Sequence, residues 1–202
     1  MENKNFSHSE LFSRPLILGA SISAGYGTQD GGPGSVLARM LNPLSQITNL
    51  AKNGATSVQS TSRVDFKKYN PTLIMGFDLF FWDVARSQID SNFESHTRSL
   101  FKAFQDLNAP VILGQLPEVP SFLSGKFSSL IKNAKKVNLL LEELASKDSK
   151  VVLYNPLECL LSMDSSEYFS DGLHLSRKGN QYCANYILNS QILDKFKLSQ
   201  QN

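Results

Sequence analysis

Ser21 stands in Gly19-Ala20-Ser21-Ile22-Ser23, directly after Pro15-Leu16-Ile17-Leu18, an apolar run that reads as a buried strand. A serine on the turn leaving a strand holds its hydroxyl at a sheet edge, where a substrate reaches it. Far downstream, Asp171-Gly172-Leu173-His174 puts a carboxylate three residues before one of the 3 histidines. An alcohol is a weak nucleophile at its own pKa, so it needs a base beside it and a third group to orient that base. His174 can take the proton of Ser21 near neutral pH and return it to a leaving group. Asp171 can orient the imidazole and stabilise its cation. Gly172 lets the loop turn sharply. Lys178-Gly179 suits a tight start to the last helix, which would clamp the loop to the sheet. The expected chemistry is ester hydrolysis by a serine esterase.

The elements that must position these residues follow from the apolar pattern. Strands are expected at Pro15–Gly19, Gln46–Leu50, Thr72–Phe77, Pro110–Gln115 and Lys150–Tyr154. Most are continuously apolar, as in strands covered on both faces. Between them the spacing predicts helices at Ser35–Leu41, Ser57–Phe66, Phe93–Leu107 and Ser129–Ser146, with a last one over Ser176 to Lys195. In the fourth helix Leu130, Ile131, Ala134, Val137, Leu140, Leu141 and Leu144 recur at three- and four-residue steps, a core-facing stripe. Strands alternating with helices imply right-handed crossovers and a parallel sheet in a three-layer α/β/α arrangement. No repeat or Pro/Gly linker divides the chain. Residues 1–13 read as a polar tail and 14–198 as one domain.

Four blocks fall where open parallel sheets place their sites, at the strands' C-terminal ends. They are Gly19-Ala20-Ser21-Ile22-Ser23, Asn53-Gly54-Ala55-Thr56-Ser57, Gly76-Phe77-Asp78 and Asp171-x-x-His174. In this order they resemble the SGNH hydrolases, also called the GDSL family of esterases and lipases, whose compact members span a chain of this size. The resemblance implies a flavodoxin-like fold with a five-stranded parallel sheet of order 2-1-3-4-5. It implies Ser21 as nucleophile, His174 and Asp171 as its partners, and an oxyanion hole from the backbone N–H groups of Ser21 and Gly54 with the side chain at Asp78.

Two positions depart from the family pattern. Ala20 replaces a supporting aspartate. Asp78 replaces an asparagine whose amide donates to the oxyanion, and an ionised carboxylate there opposes that charge. Losing one such donor costs about 10²–10³ in rate. Three arrangements stay open. Asp78 stays protonated among Phe77, Leu79, Phe80, Phe81 and Trp82 and donates as a neutral acid. Alternatively it points elsewhere, leaving the N–H groups of Ser21 and Gly54. In the third, Asn53 stands in for it.

Taken alone, a serine after a strand is more often a helix cap than a nucleophile. The ordered set of four blocks outweighs that. The expected substrate is a small-molecule or glycan ester, acetyl or another short acyl, because no insertion is long enough to build a deep lid. The alternatives are a lysophospholipase or thioesterase, or a catalytically weak protein of this fold that binds an acylated glycan or lipid. No cofactor or metal is implied.

The remaining features are bland. A net charge of +2 with scattered lysines does not argue for nucleic acid. No apolar run approaches the roughly 20 residues of a membrane span. The polar start lacks a signal-peptide core, so a cytoplasmic site is the default, unless an export signal was trimmed. The pattern from Gly19 to Gly27 lacks the spacing of a dinucleotide loop and its acidic partner. Cys159 and Cys183 read as buried thiols, not a disulfide or metal cluster. His96 reads as a solvent-facing helix residue and His8 as part of the tail. Phe80, Phe81 and Trp82 read as core, Tyr168-Phe169 as pocket wall, Asp83 as a cap on the following helix, and residues 30–34 as a turn at the pocket rim.

Overall fold

The computed structural model describes residues 7–107, 109–118, 128–155, 160 and 166–198. Five parallel strands form one sheet in the order β2-β1-β3-β4-β5: β1 (Pro15–Leu18), β2 (Thr48–Asn49), β3 (Leu73–Gly76), β4 (Val111–Gly114) and β5 (Val151–Tyr154). In register, Leu16 lies opposite Thr48 and Ile74, Ile74 opposite Val111, and Val111 opposite Val151. The helices among the described residues are α1 (His8–Leu11), α2 (Ser21–Ala24), α3 (Pro33–Leu41), α4 (Ser57–Thr61), α5 (Phe81–Ala85), α6 (Ser91–Leu107), α7 (Ser128–Ala145), α8 (Arg177–Asn189) and α9 (Ile192–Leu198).

The apolar strands divide by alternation, since successive side chains point to opposite faces. Leu16, Leu18, Ile74, Val111, Leu113 and Val151 pack with Val84 of α5, Leu100, Phe101 and Phe104 of α6, and Ala134, Val137 and Leu141 of α7. Ile17, Leu73, Met75, Ile112, Val152 and Tyr154 pack with Leu37 of α3, Ala184 and Ile187 of α8, and Leu193 and Phe196 of α9. Both faces are covered, so strands of four residues carry no polar position. Each fully buried aliphatic side chain stabilises the fold by about 1.5–3 kcal/mol.

Several expected boundaries shift. The polar tail ends earlier than residue 13: Ser7 caps α1 through a capping box, and Leu11 and Phe12 are buried against the sheet. The helix expected over Ser57–Phe66 stops at Thr61, with a separate 3₁₀ turn at Phe66–Tyr69. The last helix breaks after Asn189, where the Ser190 N–H and hydroxyl both bond back to Ile187 O. The rim turn is shorter than expected, because Pro33 and Gly34 already belong to α3. Leu130 and Ile131 have side chains outside the described ones; Ala134, Val137, Leu141 and Leu144 of that stripe are buried. Cys183 is fully buried, while Cys159 lies outside the described residues. No helix among the described residues is long and apolar enough to cross a membrane.

Candidate active site

Ser21 opens α2 immediately beyond β1, largely buried at the sheet's C-terminal edge. What holds this turn is Asp78, at the end of β3. Its Oδ1 accepts from the N–H groups of Ala20 (2.9 Å) and Ser23 (3.2 Å), and its Oδ2 from Ile22 (2.7 Å). The Ser23 hydroxyl also bonds to the Asp78 carboxylate, and it accepts from the Phe77 N–H at 3.2 Å. Burial pushes the Asp78 carboxyl above its ordinary value, and the bonds from the Ser23 side chain and the three amides pull the other way. Gly19 makes room for this: a Cβ there would stand 2.5 Å from Asp78 Oδ1.

Of the three open arrangements for Asp78, these bonds match the one in which its carboxyl faces the turn and the N–H groups of Ser21 and Gly54 are left free of it. Both of its oxygens accept from amides of the turn. The Ser21 N–H is the one amide between Ala20 and Ser23 that Asp78 does not take. Neither it nor the Gly54 N–H has an acceptor among the described residues. Asn53 is exposed and makes no hydrogen bond among them.

The Gly54 loop is gripped from α5. Arg86 donates to the Gly54 carbonyl at 2.8 Å while its guanidinium lies 5.1 Å from the Trp82 ring centre. Asp83 does not cap the helix that follows it. It is buried within α5 and accepts from the Ser57 N–H (2.8 Å) and hydroxyl (3.0 Å), capping α4 across the loop. Burial pushes the Asp83 carboxyl up to about 6, opposed by Ser57 and by the charge of Arg86. His96 belongs to the same cluster rather than to solvent: its Nε2 lies 2.9 Å from Thr61 Oγ1, and burial lowers its pKa against a bond to the Ser57 backbone.

The loop carrying Asp171 and His174 is closed by a bridge between Phe169 and Leu175. Ser176 caps α8 through the Gly179 N–H and ties back to Glu167 O, and Lys178 pairs with Glu167 at 2.6 Å. Asp171 Oδ1 accepts from the amides of Leu173 (3.1 Å) and His174 (2.8 Å). Its Oδ2 lies 2.7 Å from His174 Nδ1. These bonds, the His174 amide foremost, hold the Asp171 carboxyl at about 2.

The two ends of the chain meet here. Ile22, beside Ser21, and Leu175, beside His174, share a small apolar cluster with Leu160 and Cys183, against which Tyr168 and Phe169 pack. The Tyr26 ring lies 4.5 Å from the His174 ring. Ser21 Oγ makes no hydrogen bond among the described residues, and none joins it to His174. Phe80 and Phe81 are buried and Trp82 packs on the core, as expected. Ser23, Tyr26, Arg86 and the Ser57–His96 cluster were missed. Only Thr56-x-x-Gln59, a capping box, marked that cluster in the sequence.

The comparisons with known proteins agree with this architecture. The chain is similar in structure to the esterase EstA from Pseudoalteromonas sp., at 22% identity and TM-score 0.66, over 90% of this chain and 97% of that one. A family 3 carbohydrate esterase of Clostridium thermocellum is 17% identical with TM-score 0.65, over 91% and 97% of the two chains. The acetylxylan esterase Axe2 from Geobacillus stearothermophilus is 16% identical with TM-score 0.62, over 86% and 91%. No curated protein matches in sequence. The model of the GDSL-like Lipase/Acylhydrolase family matches residues 17–182. With that match and the flavodoxin-like sheet, the chain belongs to the GDSL-like lipase and acylhydrolase family and is a hydrolase of ester bonds.

Proposed function

We propose that the protein is a serine esterase that removes a short acyl group, such as acetyl, from a glycan or small molecule through an acyl-enzyme on Ser21. The observation that carries this reading is the Asp171–His174 pair, 2.7 Å apart, on a loop packed beside the Ser21 turn. Ser21 Oγ attacks the ester carbonyl carbon and its proton passes to His174. The negative oxygen is bound by the N–H groups of Ser21 and Gly54. The carbonyl–alkoxy bond then breaks, the leaving alcohol takes the proton from His174, and water repeats the sequence to free the acid. Asp171 holds the imidazole throughout, and Asp78 holds the turn that aims the Ser21 N–H. The Axe2 and carbohydrate esterase likenesses favour an acylated glycan as substrate.

A fluorophosphonate probe is expected to label Ser21. Ser21→Ala is expected to abolish both labelling and hydrolysis of p-nitrophenyl acetate, and wild-type turnover by this variant would refute the mechanism. Across acetyl, butyryl, octanoyl and palmitoyl esters, kcat/KM is expected to fall with length. A rise toward palmitoyl would replace the short-acyl reading with a lipid or thioester substrate.

A further inference from the structure

The loop after α2 carries a residue that no part of the proposed reaction uses. Tyr26 donates its N–H to Ser21 O at 2.9 Å, so its backbone is fixed to the nucleophile's own residue. The loop is cross-braced. Thr28 Oγ1 bonds to Gly25 O and Gly31 O at 3.0 and 3.1 Å, and Asn180 Nδ2 of α8 reaches Thr28 Oγ1 and Gly31 O at 3.3 Å each. On this brace the Tyr26 ring leans on the His174 imidazole, with centroids 4.5 Å apart and planes tilted by 43°. Half of Tyr26 (51%) remains exposed, so burial alone does not account for its placement.

A histidine ring held at one nitrogen keeps a rotational freedom about that bond. Asp171 secures Nδ1, and that bond by itself does not set the tilt of the ring. We propose that Tyr26 is a positioning residue for catalysis, whose ring sets the plane of the His174 imidazole toward Ser21 and faces the positive charge that the imidazole acquires in the transition state. The inference rests on Ser21 and His174 being nucleophile and base. Both effects arise as the proton moves: an aromatic face attracts a cation more than a neutral ring, and a small misplacement of a reacting group is costly in rate. The loss therefore falls on kcat rather than KM.

The test measures kcat and KM with p-nitrophenyl acetate, and the rate of fluorophosphonate inactivation, for wild type, Tyr26→Phe, Tyr26→Leu and Ser21→Ala. Tyr26→Phe keeps the ring and is expected to keep kcat. Tyr26→Leu is expected to lower kcat about 10-fold with KM nearly unchanged, and to slow inactivation in parallel. Wild-type kcat in Tyr26→Leu would overturn the inference. So would equal losses in the Phe and Leu variants, which would trace the effect to the hydroxyl, or a change confined to KM, which would make Tyr26 a substrate contact. A dead Ser21→Ala beside an unaltered Tyr26→Leu removes this inference alone, whereas an active Ser21→Ala removes the mechanism beneath it.

Discussion

Asp171 and Asp78 flank the Ser21 turn, and they are held in opposite ways. The Asp171 side chain is half exposed, and each of its bonds comes from its own loop, within three residues. Asp78 is buried, and its amide partners lie 55 to 58 residues away on another element. The exposed carboxylate stays ionised well into acid because its donors are adjacent and solvent still reaches it. The buried one has no ion pair among the described residues, and the dipoles converging on it offset desolvation only in part. The same side chain therefore orients a ring in one place and a backbone in the other.

Substitution at each aspartate separates the two roles. Asp171→Asn leaves the loop's size unchanged but removes the acceptor at His174 Nδ1. It is expected to lower kcat by about 10³–10⁴ with little change in Tm, and a large fall in Tm would mean that Asp171 supports the fold instead. In wild type this contact is maintained above the ordinary carboxyl range and lost as pH falls toward about 2. Asp78→Asn turns an N–H₂ group toward amides that already donate. It is expected to lose roughly 2–4 kcal/mol of stability and about 10²-fold in rate through a displaced Ser21. Stability and activity fall together here; an Asn variant with unchanged or higher kcat would favour the donor role instead.

Asp83 gives the smallest effect on turnover and the clearest on pH. Its folded carboxyl is raised to about 6, so the neutral form is the favoured one. That contribution is fully present below the ordinary value near 4 and is lost as pH rises to about 6. Wild type is expected to lose about 1–3 kcal/mol relative to Asp83→Asn across that interval, as read by urea unfolding at pH 4, 5, 6 and 7. The opposite slope would show that Ser57 and Arg86 outweigh burial.

The same contrast explains what the sequence made legible. Strand positions were readable because continuous apolar runs require cover on both faces, as the alternation of Leu16 and Ile17 between opposite cores shows. The Asp171–His174 contact was readable because it is local. The role of Asp78 depends on contacts between β3 and the turn after β1, and no local pattern encodes which way a carboxylate faces. Arg86 and His96 were opaque for the same reason. Helices α2 and α5, at four and five residues, are too short for a periodic stripe. The break at Ser190 has no Gly or Pro to mark it and rests on a hydroxyl bond.

The Asp78 contacts also bear on how the site comes into being. The bonds that hold the Ser21 turn require β1 and β3 to be paired, because the carboxyl that accepts from its amides comes from Asp78, just beyond β3. The amides of Ala20, Ile22 and Ser23 thus belong to the cooperative core and exchange with solvent only when that core opens. The bonds to Asp171 all come from within three residues of it and do not depend on the sheet. Early unfolding is therefore expected to loosen the Asp171–His174 loop before the Ser21 turn, read as faster amide exchange at Leu173 and His174 than at Ile22 and Ser23.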